Sequence, residues 1–480
     1  MRLFAICLML LTLALPATGE TIEFRGKEYW INGVNVPWNQ FGTDVGAHPS
    51  WGSLHDLSWF ETFFVQCEES GINCVRFWIH CDGRASPEFD VDGSVTGLDP
   101  SFLDELEDIL ESAENHNVMV MPCLWSFDMT ADNTAFAGPY AGLHADLIQD
   151  EDKTQSYIDN ALIPMLNRFT NAPNLFAWEI SNEPEWSVDN GHVTQLEIQR
   201  FCAMIAAAIH ENSDQMVTLG SAALKWNSDV SPAEANWWSD AALQAQYAST
   251  NAYLDFYQVH YYDWCYPWYS PFDLSRPVSY WGLDKPVLVG ESPADPAGIY
   301  SIPDQIQNSY SNGYAGVMFW SYNSDYSEYW PTTTNELSLF RDAYPELIDY
   351  PADRDGDGMP DTWEYLFFGN PMASDGSAVA DWDGDGARDL YEYIAGTDPT
   401  NNSSVFVMNY VGLQGAQPEI SWPSVAGREY AVYMSTNLLT GWPELPLTSN
   451  ITGDGTTKTF TDAMPMPVGG FYRLQVNIVP

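Results

Sequence analysis

Eight short apolar runs, separated by helix-length amphipathic stretches, fill residues 22–350 and constrain the fold more than any other feature. They are Tyr29–Val36, Cys74–Ile79, Val118–Leu124, Leu175–Ile180, Met216–Leu219, Phe256–His260, Val287–Val289 and Val317–Trp320. Between them, Pro100–Asn115, Thr154–Phe169 and Leu196–Glu211 show helical spacing. In the first, Phe102, Leu103, Leu106, Ile109 and Leu110 fall on one face. Strands covered on both faces read as continuous apolar runs, and parallel strands need a crossover between them. Eight of each over this length predict a closed (β/α)8 TIM barrel, the α/β class, rather than an open sheet. Reacting groups in that fold stand at the C-terminal ends of strands, so the residues that end each run carry the chemistry.

The fourth run ends in Trp178-Glu179-Ile180-Ser181-Asn182-Glu183-Pro184-Glu185, and Lys285-Pro286-Val287-Leu288-Val289-Gly290 ends on Glu291. The other tips offer Asn35 and Trp38, Arg76 and His80, Trp125, His260-Tyr261-Tyr262, and Trp320. With 66 Asp and Glu in the chain, a single glutamate is by default a solvated surface group. Glu183 and Glu291 stand out because each closes a strand among polar and aromatic tips. Two carboxyls in different surroundings can hold opposite protonation states, one as acid and one as anion.

The chain carries 17 basic and 66 acidic residues, a formal charge of −49. Such a surface repels nucleic acid and anionic lipid, and disfavours polyanionic substrates. With 45% hydrophobic and 14% aromatic residues it can still build a large core, which separates it from acidic disordered chains. Residues 1–19 read as a bacterial export signal: Arg2, the apolar stretch Leu3–Leu15, and Ala17-Thr18-Gly19 before the cut. That stretch is shorter than the ~20 residues of a membrane span, so the mature chain is expected to be secreted, without a membrane partner and monomeric. Seven cysteines show no Cys-x-x-Cys and no zinc spacing, and no pairing is assigned.

Beyond Tyr350 the pattern changes. Asp353, Asp355, Asp357, Asp361 and Glu364 occupy positions 1, 3, 5, 9 and 12 of a loop with Gly358 at position 6. Asp381, Asp383, Asp385, Asp389, Glu392 and Gly386 repeat the set 28 residues later. This is oxygen-ligand spacing for Ca2+, and the constant offset argues against a chance run of acids. Residues 351–402 are therefore expected to form a calcium-binding repeat linker. From 403 to 480, short alternating strands between Gly, Pro and Asn turns predict a small all-β sandwich: Val405–Tyr410, Glu419–Trp422, Tyr430–Met434, Thr457–Thr461 and Gly470–Val476. This C-terminal region offers a surface for a protein or cell-surface partner.

The ordered strand tips, above all Asn182-Glu183-Pro184 on strand 4 and Glu291 on strand 7, resemble glycoside hydrolase family 5 and the wider clan A of (β/α)8 retaining glycosidases. The resemblance covers residues 22–345. It implies Glu183 as acid/base and Glu291 as nucleophile, no catalytic cofactor, and Arg76, Asn182, His260, Tyr262, Trp320, Trp125 and Trp38 around the sugar. Phe77-Trp78-Ile79, Trp125-Ser126-Phe127-Asp128 and the Trp178–Pro184 run lean toward the mannanase-like branch. The implied substrate is a neutral polysaccharide, β-1,4-mannan first, with β-1,4- or β-1,3-glucan, xyloglucan or a non-catalytic carbohydrate-binding scaffold as alternatives. The twin acidic loops resemble dockerin or thrombospondin type 3 repeats.

Overall fold

A computed structural model describes residues 20–478 except 26, 139–140, 171, 350–356, 360, 369–379, 409, 415–416, 438–441, 444 and 464–469. The expected export signal and the loop residues Asp353 and Asp355 lie outside the described residues. The chain divides into two compact units, residues 1–350 and 351–480.

In the first unit eight parallel strands close into a barrel in sequence order: β1 Ile31–Asn35, β2 Cys74–Cys81, β3 Met119–Ser126, β4 Ala177–Asn182, β5 Met216–Ser221, β6 Tyr257–His260, β7 Val287–Pro293 and β8 Gly316–Trp320. Each expected run overlaps one of them, and most of the strands run on past the expected ends. Local chemistry fixes the helices between. Asp56 caps Leu57–Glu69 by accepting from Trp59 N, and that helix buries Phe60, Phe63, Phe64 and Cys67 against the barrel. Thr194 and Glu197 form a reciprocal capping box that starts the helix Gln195–Asn212. The stretch expected as one helix over Thr154–Phe169 is broken into Glu151–Tyr157, a π turn at Ile158–Leu162, and Ile163–Arg168. Pro164 lacks the N–H that would continue the ladder there.

The barrel interior is layered along its axis. At the N-terminal end, Ile31, Cys74, Met119, Met121, Leu288 and Met318 join the hairpin residues Ile22, Phe24 and Tyr29 in an apolar plug. Above the plug lie buried polar side chains, Arg76, Glu179 and Gln258, all with no exposed surface. Their room comes from Gly220 and Gly290, where a Cβ would run into Glu179 and Gln258 respectively. Registers also shift near the strand tips: between Trp78 and Cys81 in β2, Glu179 and Asn182 in β4, Val259 and His260 in β6, and Val289 and Ser292 in β7. Such irregularities re-aim side chains out of strict alternation. Among the described residues no helix is long and apolar enough to cross a membrane, and the six cysteines outside the N-terminal segment are buried free thiols.

The second unit holds helices Asp361–Phe368 and Asp389–Ala395 and two three-stranded antiparallel sheets. Ile420, Trp422, Tyr430 and Val432 form its core, with Phe460, Tyr472 and Leu474 packed on it. Its first strand begins at Tyr410 rather than Val405, and a strand at Thr448–Thr452, absent from the sequence reading, pairs with Arg428–Ser435. The expected linker is not set apart from these strands. Arg428 donates to the carbonyls of Tyr393 and Ile394, both at 2.7 Å, and so ties the second acidic repeat to the sheets.

Gly290→Ala should lower the thermal midpoint, because the added methyl overpacks the Gln258 layer at a cost of about 1–3 kcal/mol. Thermal unfolding followed by circular dichroism measures it, and an unchanged midpoint would contradict the layered packing.

Candidate active site

At the C-terminal end of the barrel, Arg76 from β2 is wholly buried and uses all five of its N–H groups. Nε and Nη2 donate to Glu179, Nη2 also to Asn182 Oδ1 at 2.7 Å, and Nη1 to Asn35 Oδ1 at 2.9 Å and Glu291 Oε1 at 2.6 Å. Glu291 takes a second bond from the Tyr262 hydroxyl at 2.7 Å. His260 Nδ1 lies 2.8 Å from Glu183 Oε1 and 3.5 Å from Glu291 Oε1. Trp186 Nε1 donates to Glu183 Oε2 at 2.7 Å. One oxygen of Glu183, one of Glu291 and a His260 nitrogen all lie within 4.8 Å of one another. Such an approach is on the side of the ~5–5.5 Å carboxyl spacing of retaining glycosidases rather than the ~6.5–9.5 Å of inverting ones.

The two acids are tuned by different neighbours. Burial pushes Glu183 up to about 7, against the pull of the Trp186 donor and Arg76. Burial also raises Glu291, with His260, Arg76 and the Tyr262 hydroxyl pulling it back. Burial lowers His260 to about 4, so the imidazole between them stays neutral near pH 7. Glu183 can thus hold a proton near pH 7, while the Arg76 guanidinium and Tyr262 hydroxyl on Glu291 favour its anion. Its backbone adopts φ +47°, in the left-handed region that a non-glycine residue rarely visits, and its N–H donates to Gly220 O at 2.6 Å.

Most of the expected site residues converge here. Asn182 has its carboxamide oxygen committed to Arg76, so what it offers a bound sugar is a donor. Trp320 and Trp38 stand 6.0 Å apart in an aromatic wall with Trp78, which lies 5.1 Å from Trp38 and 5.8 Å from Trp320. Trp125 is a correction. Expected on the sugar, it is fully buried among Tyr157, His80 and His144 and packs in the main core beneath the Gly83 loop. Three residues outside the expected set belong to the site: Trp78, Trp186 and Glu179. Trp78 follows Arg76 by two and shares its face, so strand periodicity could have found it. Nothing in the sequence marks Glu179 as different from a polar residue in a buried run.

No family model matches the chain. Similar curated proteins include a mannan endo-1,4-β-mannosidase of Mytilus edulis, 30% identical over 331 residues that cover 64% of this chain and 87% of that one. Another, from Cryptopygus antarcticus, is 31% identical over 343 residues, 65% of this chain and 85% of that one. Among solved structures, the β-1,4-mannanase of the sea hare Aplysia kurodai superposes with a TM-score of 0.60 at 28% identity, over 69% of this chain and 97% of that one. The Mytilus edulis β-mannanase gives 0.58 at 28% identity, over 68% and 95%.

Trp186→Phe removes a donor that favours the ionised form of Glu183. The midpoint of the Glu183 carboxyl should then move to higher pH, by about half to one unit. Carbon NMR titration of that carboxyl measures the shift, and no movement would contradict this account of its tuning.

Proposed function

We propose that this chain, which belongs to the mannan endo-1,4-β-mannosidase family, hydrolyses internal β-1,4 bonds of a neutral mannan with retention of configuration. The approach of Glu183 and Glu291 within 4.8 Å, one beside a neutral imidazole and the other on a guanidinium, is the observation that carries this reading. In the first step Glu183 protonates the leaving sugar oxygen while Glu291 attacks the anomeric carbon. In the second Glu183, now the base, activates a water that releases the glycosyl group. Arg76 and Tyr262 hold the nucleophile, and His260 and Trp186 hold the acid/base. Trp320 lies under the ring, with Trp78 and Trp38 extending the wall. Asn182 donates to the sugar at the cleavage point.

Glu183→Gln should cut mannan turnover by about 10²–10⁴-fold, and Glu291→Ala should abolish the glycosyl-enzyme step. A native rate in either variant, by reducing-sugar release, overturns the assignment. Product NMR on mannan, glucan, xyloglucan and laminarin should show β-anomers released first, from mannan. The activity of the native protein should fall as pH rises through about 7, where Glu183 loses its proton.

For the second unit we propose a structural Ca2+ on the second acidic loop. Asp381, Asp383 and Asp385 bring oxygens within 4.8 Å of one another, and Glu392 at position 12 is 1% exposed. Asp383 Oδ2, Asp385 Oδ2 and Glu392 Oε2 are buried without a hydrogen-bond partner, as cation ligands would be. Asp381 accepts from Gly384, Asp385 and Gly386 N–H groups, and Gly386 takes φ +96° where the loop must turn. Asp389, at position 9, accepts from Trp382 N at 2.9 Å through Oδ1. The first loop is proposed by its matching spacing; of its residues, Asp357 accepts from Met359 N and Glu364 is buried. Export rests on the sequence of residues 1–19. Chelation should raise proteolytic cleavage between residues 381 and 405, and added calcium should reverse it; unchanged sensitivity refutes the site.

A further inference from the structure

We propose that Glu179 is a positioning residue for the reaction: by engaging Arg76 it cancels that cation and leaves Glu291 and the developing transition state in a site of net negative charge. The proposal rests on the double-displacement reading above. Glu179 lies on β4, four residues before the acid/base, and is fully buried. It accepts from Arg76 through Nε and Nη2, whereas Glu291 receives a single N–H from the same guanidinium. Cys123 Sγ lies 3.3 Å from its Oε1. The barrel has been shaped to admit this carboxylate. On the neighbouring strand β5, Gly220 leaves the space that a Cβ would take from Glu179 Oε1, and that Cβ would also stand 3.1 Å from Arg76 Nη2.

The charges then sum simply. Arg76 and Glu179 cancel; with Glu183 protonated and His260 neutral, Glu291 is left as the uncompensated anion. An oxocarbenium-like transition state carries positive charge beside it, and in a water-poor site that attraction is stronger than in bulk solvent. Without Glu179, the full positive charge of Arg76 would oppose the sugar and overstabilise the Glu291 anion, making it a poorer nucleophile. The titratable groups that act on Glu291 are Arg76 from β2, Glu183 just past β4, His260 from β6 and Tyr262 just beyond it, with Glu179 from β4 and Cys123 from β3 reaching it through Arg76. Strands β1, β5 and β8 contribute Asn35, Gly220 and Trp320 at this level. Asn35 meets the opposite edge of the guanidinium at 2.9 Å, which makes it the place to add charge without touching Glu179.

The test measures kcat/KM on mannan against pH for the full chain, with Glu179→Gln and Asn35→Asp. Glu179→Gln should move both limbs of the profile to lower pH, by up to about one unit, and reduce kcat by about tenfold or more. Asn35→Asp, which adds an anion to the same guanidinium, should move both limbs to higher pH. If neither variant moves the limbs, or either moves them the opposite way, Glu179 serves packing alone and the proposal falls, whatever the loss of rate. Should Glu179→Gln fail to fold by circular dichroism, Asn35→Asp decides by the same criterion. Native rates in Glu183→Gln or Glu291→Ala would instead sink the double-displacement reading, so the two failures are distinct.

Discussion

A guanidinium cannot shed its charge and has no acceptor, so burying Arg76 whole obliges the fold to surround it with acceptors at fixed angles. Three other strands supply them: β1 through Asn35, β4 through Glu179 and Asn182, and β7 through Glu291. Taking such ions out of water costs several kcal/mol each, and removing one partner of a buried pair typically destabilises by about 3–5 kcal/mol. The register of those strands is therefore held by more than the apolar core. A slip of one residue would turn Arg76 to the outer face and strand a carboxylate inside. What makes the barrel hold its register at this end is the same contact set that aims the nucleophile.

Burial alone does not divide labour between the two glutamates, since it raises both. Their donors do. Glu291 accepts from a cation and a phenol; Glu183 accepts from an indole and sits against an imidazole that burial keeps neutral. Glu183 also rides on a left-handed backbone, a strain of about 1–3 kcal/mol that surrounding structure must offset. Glu185, two residues on and fully buried, does part of that. It accepts from Ser221 Oγ at 2.6 Å, Ala222 N at 3.1 Å and Trp238 Nε1 at 2.7 Å, which pins the turn to the end of β5 and the loop that follows it.

The barrel was legible because buried parallel strands must be apolar and must alternate with crossover helices, and both patterns survive in composition. The two glutamates were legible because each ends such a run. Face was harder to read. Period-2 alternation from Arg76 points Trp78 into the cleft, and it does face the aromatic wall. The same rule fails at Trp125, which pairs with Cys81 just past the register shift in β2; Cys81 itself has φ +56°. Irregular tips decouple position from direction, and single-residue bulges leave no compositional trace. Glu179 was hidden for a different reason. A carboxylate in mid-strand has meaning only beside its cation, and Arg76 is 103 positions away.

The acidity of the chain bears on the substrate at two ranges. The formal charge of −49 acts at a distance, but salt screens exposed charges beyond roughly 8–10 Å. Within that range the cleft decides for itself, and there the cation nearest the reacting pair is already engaged by Glu179 and Glu291. An anionic polymer approaching the tips would meet a field that repels it outside and no free positive charge to receive it among the site residues described above. A mannan brings hydroxyls and C–H faces, which need donors such as Asn182 and flat apolar walls such as Trp78 and Trp320. Spending Arg76 on the interior, rather than on the substrate, is what leaves the cleft suited to a neutral sugar chain.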